Sequence, residues 1–216
     1  MSLEEEIASA PRVICLGDIT GYHCYVNEVI DFLRSRSVIC IQGNHDRYVI
    51  EGLECQTKII NDSVRFGIEQ AKKLITADNL IWLSGLPTSV SFKDGSCSFL
   101  CCHGSPWSVT DQYVYQDSEL FDRMGEFAYD VIAMGHTHRA FVIHRGERVF
   151  MNPGSVGQAR DYEGEACAIW LDTDSLNVDF IRRPYDFRKT IRHSLMCGAG
   201  NWIYKHFKTK MADDTF

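Results

Sequence analysis

Four apolar residues, Val131-Ile132-Ala133-Met134, run without interruption into Gly135-His136-Thr137-His138. A short continuous apolar run closed by glycine is how a strand buried on both faces reads. It restricts the chain to architectures in which a sheet is covered on each side. In extended backbone, side chains two residues apart point the same way, so both imidazoles would leave the carboxyl end of this strand together. Neutral imidazole is the commonest nitrogen ligand of a transition metal, but an isolated His-x-His is more often a pair of loop histidines.

The same grammar recurs three times upstream. Phe99-Leu100-Cys101-Cys102 ends at His103-Gly104, Val38-Ile39-Cys40-Ile41 leads through Gln42-Gly43 into Asn44-His45-Asp46, and Val13-Ile14-Cys15-Leu16 ends at Gly17-Asp18. Sheets of such strands place their sites beyond the carboxyl ends, so Asp18, Asn44-His45-Asp46, His103 and His136-x-His138 are expected at one edge. Each brings an oxygen or nitrogen donor, and the neighbouring glycines let backbone approach a metal or a phosphate.

These motifs, in this order, resemble the calcineurin-like metallophosphoesterase superfamily. Cys15 to Tyr22 and Asn152-Pro153-Gly154-Ser155-Val156-Gly157-Gln158 narrow the resemblance to its small bacterial and archaeal phosphodiesterase-like branch. The resemblance runs to about Lys189. It implies an α/β sandwich, two mixed β-sheets packed face to face and flanked by helices, in a single domain over residues 1–216. One family motif is missing: members open with a strand ending in Asp-x-His, and no Asp-x-His precedes Asp18. Glu4-Glu5-Glu6-Ile7-Ala8 reads as the tail of the helix that would follow that strand. A chain shortened at its N-terminus is therefore expected, and Met1-Ser2-Leu3 is compatible with a vector-derived start.

Composition sets the outer limits. With 216 residues, 45% hydrophobic and 24% charged, the chain has an ordinary globular makeup with room for a core. No apolar stretch reaches the roughly 18 to 20 residues that span a bilayer, and no signal peptide is evident, so a cytoplasmic setting is expected. Nine cysteines without a C-x-x-C pair suit reduced thiols, several of them inside apolar runs. A formal charge of -7 argues against a general nucleic-acid binder.

Elsewhere, apolar spacing predicts a helix behind Asn27 as cap, helical text over 47–75 with Asp62 and Ser63 as caps, and a short helix over 78–83. Strands around 90–92 and 98–100 form a hairpin through Lys93-Asp94-Gly95. Leu120, Phe121, Met124 and Phe127 mark a further helix, and 140–144, 149–151 and 166–171 a second, more antiparallel set of strands. Tyr113 and Tyr115 in the loop after His103 either flank a substrate base or aryl group or pack as surface, and both readings stand. His23 reads as a solvent-exposed loop histidine, with substrate contact the alternative. His144, His193 and His206 read as structural or exposed, and 211–216 as a frayed end.

The resemblance also implies a ligand set. Complete members hold two divalent ions bridged by the aspartate matching Asp18. One ion takes the residues matching Asn44, His103 and His136; the other takes the missing Asp-x-His and the match of His138. A metal-bound hydroxide attacks phosphorus, the match of His45 stabilises the transition state or protonates the leaving oxygen, and Asp46 orients that imidazole. This chain thus keeps four ligands for one ion and two for the other, so one metal is expected to be well held. Glu4, Glu5 or Glu6 are remote candidates for replacing the lost ligands. The donors suit manganese, iron, zinc or nickel.

Three functions follow from the resemblance. They are a phosphodiesterase acting on a phosphodiester or small nucleotide, an inactive phosphate- or nucleotide-binding remnant, and a protein or dinucleoside polyphosphate phosphatase. A sheet lacking a strand exposes an edge, so a homo-oligomer is also expected.

Overall fold

The computed structural model describes residues 3–53 and 60–208. The first half contains α1 (Glu4–Ser9), β1 (Ile14–Cys15), α2 (Val26–Ser35), β2 (Ile39–Cys40), α3 (Asn44–Glu51), α4 (Asp62–Leu74), α5 (Ala77–Ser84), β3 (Ser89–Asp94) and β4 (Cys97–Cys102). The second contains α6 (Leu120–Met124), β5 (Val131–Ala133), β6 (Ala140–Arg145), β7 (Arg148–Pro153), β8 (Glu165–Leu171), β9 (Val178–Pro184), α7 (Phe187–Met196) and a 3-10 turn (Asn201–Phe207).

The continuous apolar runs become the centre of a five-stranded mixed sheet in the order β3-β4-β5-β7-β6. Its register aligns Phe99, Val131 and Val149 in one row and Leu100, Ile132 and Phe150 in the next. Successive side chains face opposite ways, so the two rows feed different cores. The first row packs with Leu171 and Val178 of the β8–β9 hairpin, and the second with Phe121 and Met124 of α6. Both sides of β5 are therefore covered, and all three of its residues are buried. A third cluster joins Ile30 of α2, Tyr48 of α3, Ile68 of α4 and Leu83 of α5. Ile68 and Leu83 are fully buried, each contributing about 1.5–3 kcal/mol of apolar transfer.

The α/β sandwich is thus present, with one difference in its second layer. Ladder bonds there define a parallel pair, β1–β2, and a separate antiparallel hairpin, β8–β9, where one mixed sheet is expected. The residues just before β1 are helical in α1 and then carry Pro11, which has no N–H for a ladder. Among the described residues β1 therefore pairs with β2 alone. In α1, Glu4 pairs with Arg36 at 2.8 Å and Glu6 with Arg183 at 2.5 Å, so these two glutamates are engaged in ion pairs.

Local expectations shift in instructive ways. The hairpin closes on Gly95 at φ 57 as the Asp-Gly signal predicts. Asn27 does not cap α2. Its side chain accepts from Thr76 N–H (3.0 Å) and donates to the Leu74 carbonyl (2.7 Å), pinning the α4–α5 junction. Asn61, one residue before the expected caps, accepts from Val64 N–H at 2.9 Å. The helical text over 47–75 resolves into the end of α3 and α4, with 54–59 outside the described residues. The strand β9, α7 and the 3-10 turn carry no sequence expectation, and 211–216 lie outside the described residues.

Candidate metal centre

Strand ends deliver the donors, as the sequence motifs predict. Asp18 follows β1, His103 directly follows β4, and His136 and His138 follow β5. Asn44, His45 and Asp46 differ: they form the first turn of α3 and not a strand extension. Asp18, His136 and His138 all have positive φ (54, 64 and 57°), a strained region for non-glycine residues that persists only where surroundings enforce it. Close backbone packing supplies the enforcement. A Cβ added at Gly43 would sit 2.1 Å from Asp18 Oδ1, and one at Gly17 2.5 Å from Gly43 N.

The side chains converge. His103 Nε2 lies 3.1 Å from Asn44 Oδ1, 3.1 Å from His136 Nδ1 and 3.3 Å from Asp18 Oδ2. Ligand atoms of Asp18, His103 and His136 all fall within 4.8 Å of one another. His138 Nε2 is 3.8 Å from the same Asp18 oxygen. Asp18 Oδ1 accepts from His45 N–H at 3.0 Å, so one carboxylate serves the helix and both groups of imidazoles.

This arrangement passes a chemical test of fit for a divalent cation. His103 Nδ1 lies 2.7 Å from the Leu16 carbonyl, which only accepts, so Nδ1 carries the proton and the Nε2 lone pair turns inward in the neutral ring. His138 Nδ1 is held by the Gln158 carbonyl at 3.0 Å in the same way. His136 turns Nδ1 to the same space, 3.1 Å from His103 Nε2. Four lone-pair donors, Asp18, Asn44, His103 and His136, then face one point, and a bound cation would satisfy them together.

Without a cation, protons take that role unevenly. Burial disfavours a charged His103, but Asp18 beside it overrides this and lifts its pKa to about 9. Burial and then the neighbouring His103 drive His136 down to about 3. Burial works against a charged Asp18 as well, yet His103 and His45 hold its carboxyl well below the usual range.

Two expected roles are corrected. Asp46 does not orient the His45 imidazole. Its carboxylate accepts from Gly43 N–H (2.9 Å), Thr20 N–H (2.9 Å), Thr20 Oγ1 (3.0 Å) and Ile19 N–H (3.3 Å), tying the loop after Asp18 to the start of α3. Burial and the nearby Asp18 raise its pKa to about 6. His45 Nδ1 is left buried and unpartnered under the Tyr22 ring, 4.9 Å between centroids. His23 is not solvent-exposed either: it meets Ser194 Oγ at 3.3 Å and stacks near Phe207.

One residue of the site, Asn152, has no assigned role in the sequence, and another, Tyr113, has two open ones. Asn152 is fully buried and donates to the Gly135 carbonyl (2.6 Å) and Thr137 Oγ1 (3.1 Å), clamping the loop that carries both histidines. Its place in the Asn-Pro-Gly-Ser motif was the available signal. Tyr113 stacks on His136 with centroids 3.8 Å apart and is 43% exposed, so of the two aromatics it is the one on the site.

Residues 2–175 match the calcineurin-like phosphoesterase superfamily domain, and the chain belongs to that family of hydrolytic, divalent-metal-using phosphoesterases. It is 27% identical over 207 residues to an uncharacterized protein of Methanocaldococcus jannaschii, covering 89% of this chain and 84% of the other. The metallophosphoesterase of Sphaerobacter thermophilus has the same fold, with a TM-score of 0.81 at 24% identity over 96% of this chain and 91% of its own. A hypothetical protein of Pyrococcus horikoshii OT3 has a TM-score of 0.80 at 20% identity over 94% and 86%. Among the described residues no helix is long and apolar enough to cross a membrane.

Proposed function

We propose that the chain is a metal-dependent phosphodiesterase hydrolysing a phosphodiester or small nucleotide. The observation that supports this most is the convergence of Asn44 Oδ1, Asp18 Oδ2 and His136 Nδ1 within 3.3 Å of His103 Nε2. A divalent ion held there would lower the pKa of a water and neutralise charge on the phosphoryl oxygens. Manganese suits the mixed oxygen and nitrogen donors, as do iron, zinc and nickel.

In hydrolysis a water oxygen forms a bond to phosphorus, the bond to the leaving oxygen breaks, and that oxygen takes up a proton. We assign this end of the reaction to His45. Burial lowers its pKa despite the pull of Asp18, which favours the neutral ring. Its Nδ1 lacks a hydrogen-bond partner, which supports assigning this ring to a phosphoryl or leaving oxygen. Asp46 acts by holding the backbone on which Asp18 and His45 stand.

Asp18 and His138, whose Nε2 lies 3.8 Å from Asp18 Oδ2, would be the two donors offered to a second ion, so one tightly bound metal per chain is the expected stoichiometry. That half-filled position favours a second reading, a phosphate or nucleotide binder without turnover. Elemental analysis after manganese loading and desalting, with hydrolysis of bis(p-nitrophenyl) phosphate, decides between them. One metal with turnover abolished by chelation supports the enzyme; one metal without turnover supports the binder; two metals of comparable affinity overturn the half-site.

We place the protein in the cytoplasm, where its eight described cysteines, all free, suit a reducing medium. Among the described residues β1 pairs with β2 alone, which supports a homo-oligomer; scattering that shows only monomer would remove it.

A further inference from the structure

Beside the metal centre lies a cleft of ≈ 530 Å3. It shares two walls with that centre: the Tyr113 ring that covers His136, and the Tyr22 ring, 5.8 Å from that of His138. Its lining includes three cations, Arg139, Arg160 and Lys205, against one carboxylate, Glu163.

The three cations come from separate parts of the chain. Arg139 directly follows the metal-site His138. Arg160 stands on the loop whose backbone N–H donates to the His138 carbonyl at 3.0 Å, and its guanidinium meets Tyr22 OH at 2.8 Å. Lys205 lies in the 3-10 turn, outside the stretch matched to the family. That turn has a firm base: Ile203 and Phe207 are buried with Ile191 of α7, and the His206 ring meets Tyr22 at 5.6 Å. Among the described residues neither Arg139 nor Lys205 makes a side-chain ion pair. A concave wall with an excess of cations, adjoining a phosphoryl site, is suited to a second anion. Guanidinium and ammonium groups recognise phosphate through charge-assisted hydrogen bonds.

We infer that Arg139, Arg160 and Lys205 form a subsite for a second phosphate, carried by the substrate beyond the ester that is cut. The preferred substrates are then phosphodiesters bearing an additional phosphomonoester, such as a 5′-phosphorylated dinucleotide. This rests on the phosphodiesterase reading above and specifies its substrate.

The test compares two dinucleotides, pApA and ApA, which differ only in the 5′-phosphate, with bis(p-nitrophenyl) phosphate as the control for hydrolysis itself. In the manganese-loaded protein kcat/KM for pApA should exceed that for ApA by at least about tenfold, the effect of roughly one charge-assisted contact. In the R139Q/K205Q double variant, with an unchanged thermal midpoint, the ratio should fall below about threefold. Calorimetry in excess chelator gives a readout free of turnover: pApA should bind the double variant about tenfold more weakly than the parent.

An equal rate on both dinucleotides, or a preference that survives the double substitution, overturns the subsite while leaving the phosphodiesterase reading intact. Failure to hydrolyse any of the three compounds overturns that reading instead, and the calorimetric comparison then still decides whether the subsite exists.

Discussion

His103 Nδ1 lies 2.7 Å from the carbonyl oxygen of Leu16, a residue 87 positions earlier in the chain. This one contact joins the strand before Asp18 to the strand before His103 and turns Nε2 toward Asp18, Asn44 and His136. Substituting even an outer partner of a metal ligand typically costs about 10–100-fold in affinity, so H103A should weaken manganese binding by at least about 100-fold. Competition titration against a fluorescent chelator measures this, and an affinity within threefold of the parent would remove His103 from the site.

The Asp46 carboxylate receives four N–H and O–H donors and donates nothing. D46N keeps the shape but sets an amide NH2 against backbone N–H groups. We expect it to cost about 1–3 kcal/mol in urea unfolding. Because its role is to position backbone, the pH profile of any residual activity should keep its shape; a displaced profile would restore a direct link to His45.

Gly21 has φ 111, and a Cβ there would lie 2.2 Å from His45 Nδ1. G21A should therefore push the imidazole from its place, lowering kcat by more than about tenfold if His45 contributes the usual share of an acid or base, about 10²–10⁴-fold. Metal content should stay at the parental level, since no ligand is touched. Unchanged kcat would argue that His45 has no part in turnover.

Low pH should destabilise the C-terminal segment. Burial, and then the nearby His206 and His193, bring His23 down to about 4; burial, and then Arg160, bring His206 to about 4. Both are neutral when folded and take up protons near 6.5 when unfolded. The unfolded state thus binds more protons between about pH 6.5 and 4, and stability falls as pH drops through that window. Each ring contributes at most about 1.4 kcal/mol per pH unit there. Urea midpoints at pH 7 and 5 should draw closer together in H206Q, and an unaltered gap would contradict the assignment.

Local apolar patterning is enough to locate the strands that matter and the residues at their ends. Val131 to Met134 and Phe99 to Cys102 are unbroken apolar runs because both faces of β4 and β5 are covered, and glycine marks where each chain turns out toward the site. Asp18, His103, His136 and His138 were legible for that reason, since their position depends on a strand and the residue after it.

Contacts between distant segments become visible in the folded chain alone. Asp46 reads in sequence as a partner for its neighbour His45, yet its oxygens accept from Ile19 and Thr20, 27 and 26 positions away. Ring orientation at His103 and His138 is fixed by backbone carbonyls, which every residue possesses and no motif can mark. The 3-10 turn has no periodic pattern of its own, and it reaches the cleft because Ile203 and Phe207 bury against α7. Local apolar patterning encodes strands and their ends; hydrogen-bond partners and cleft walls arise only once separate segments have packed.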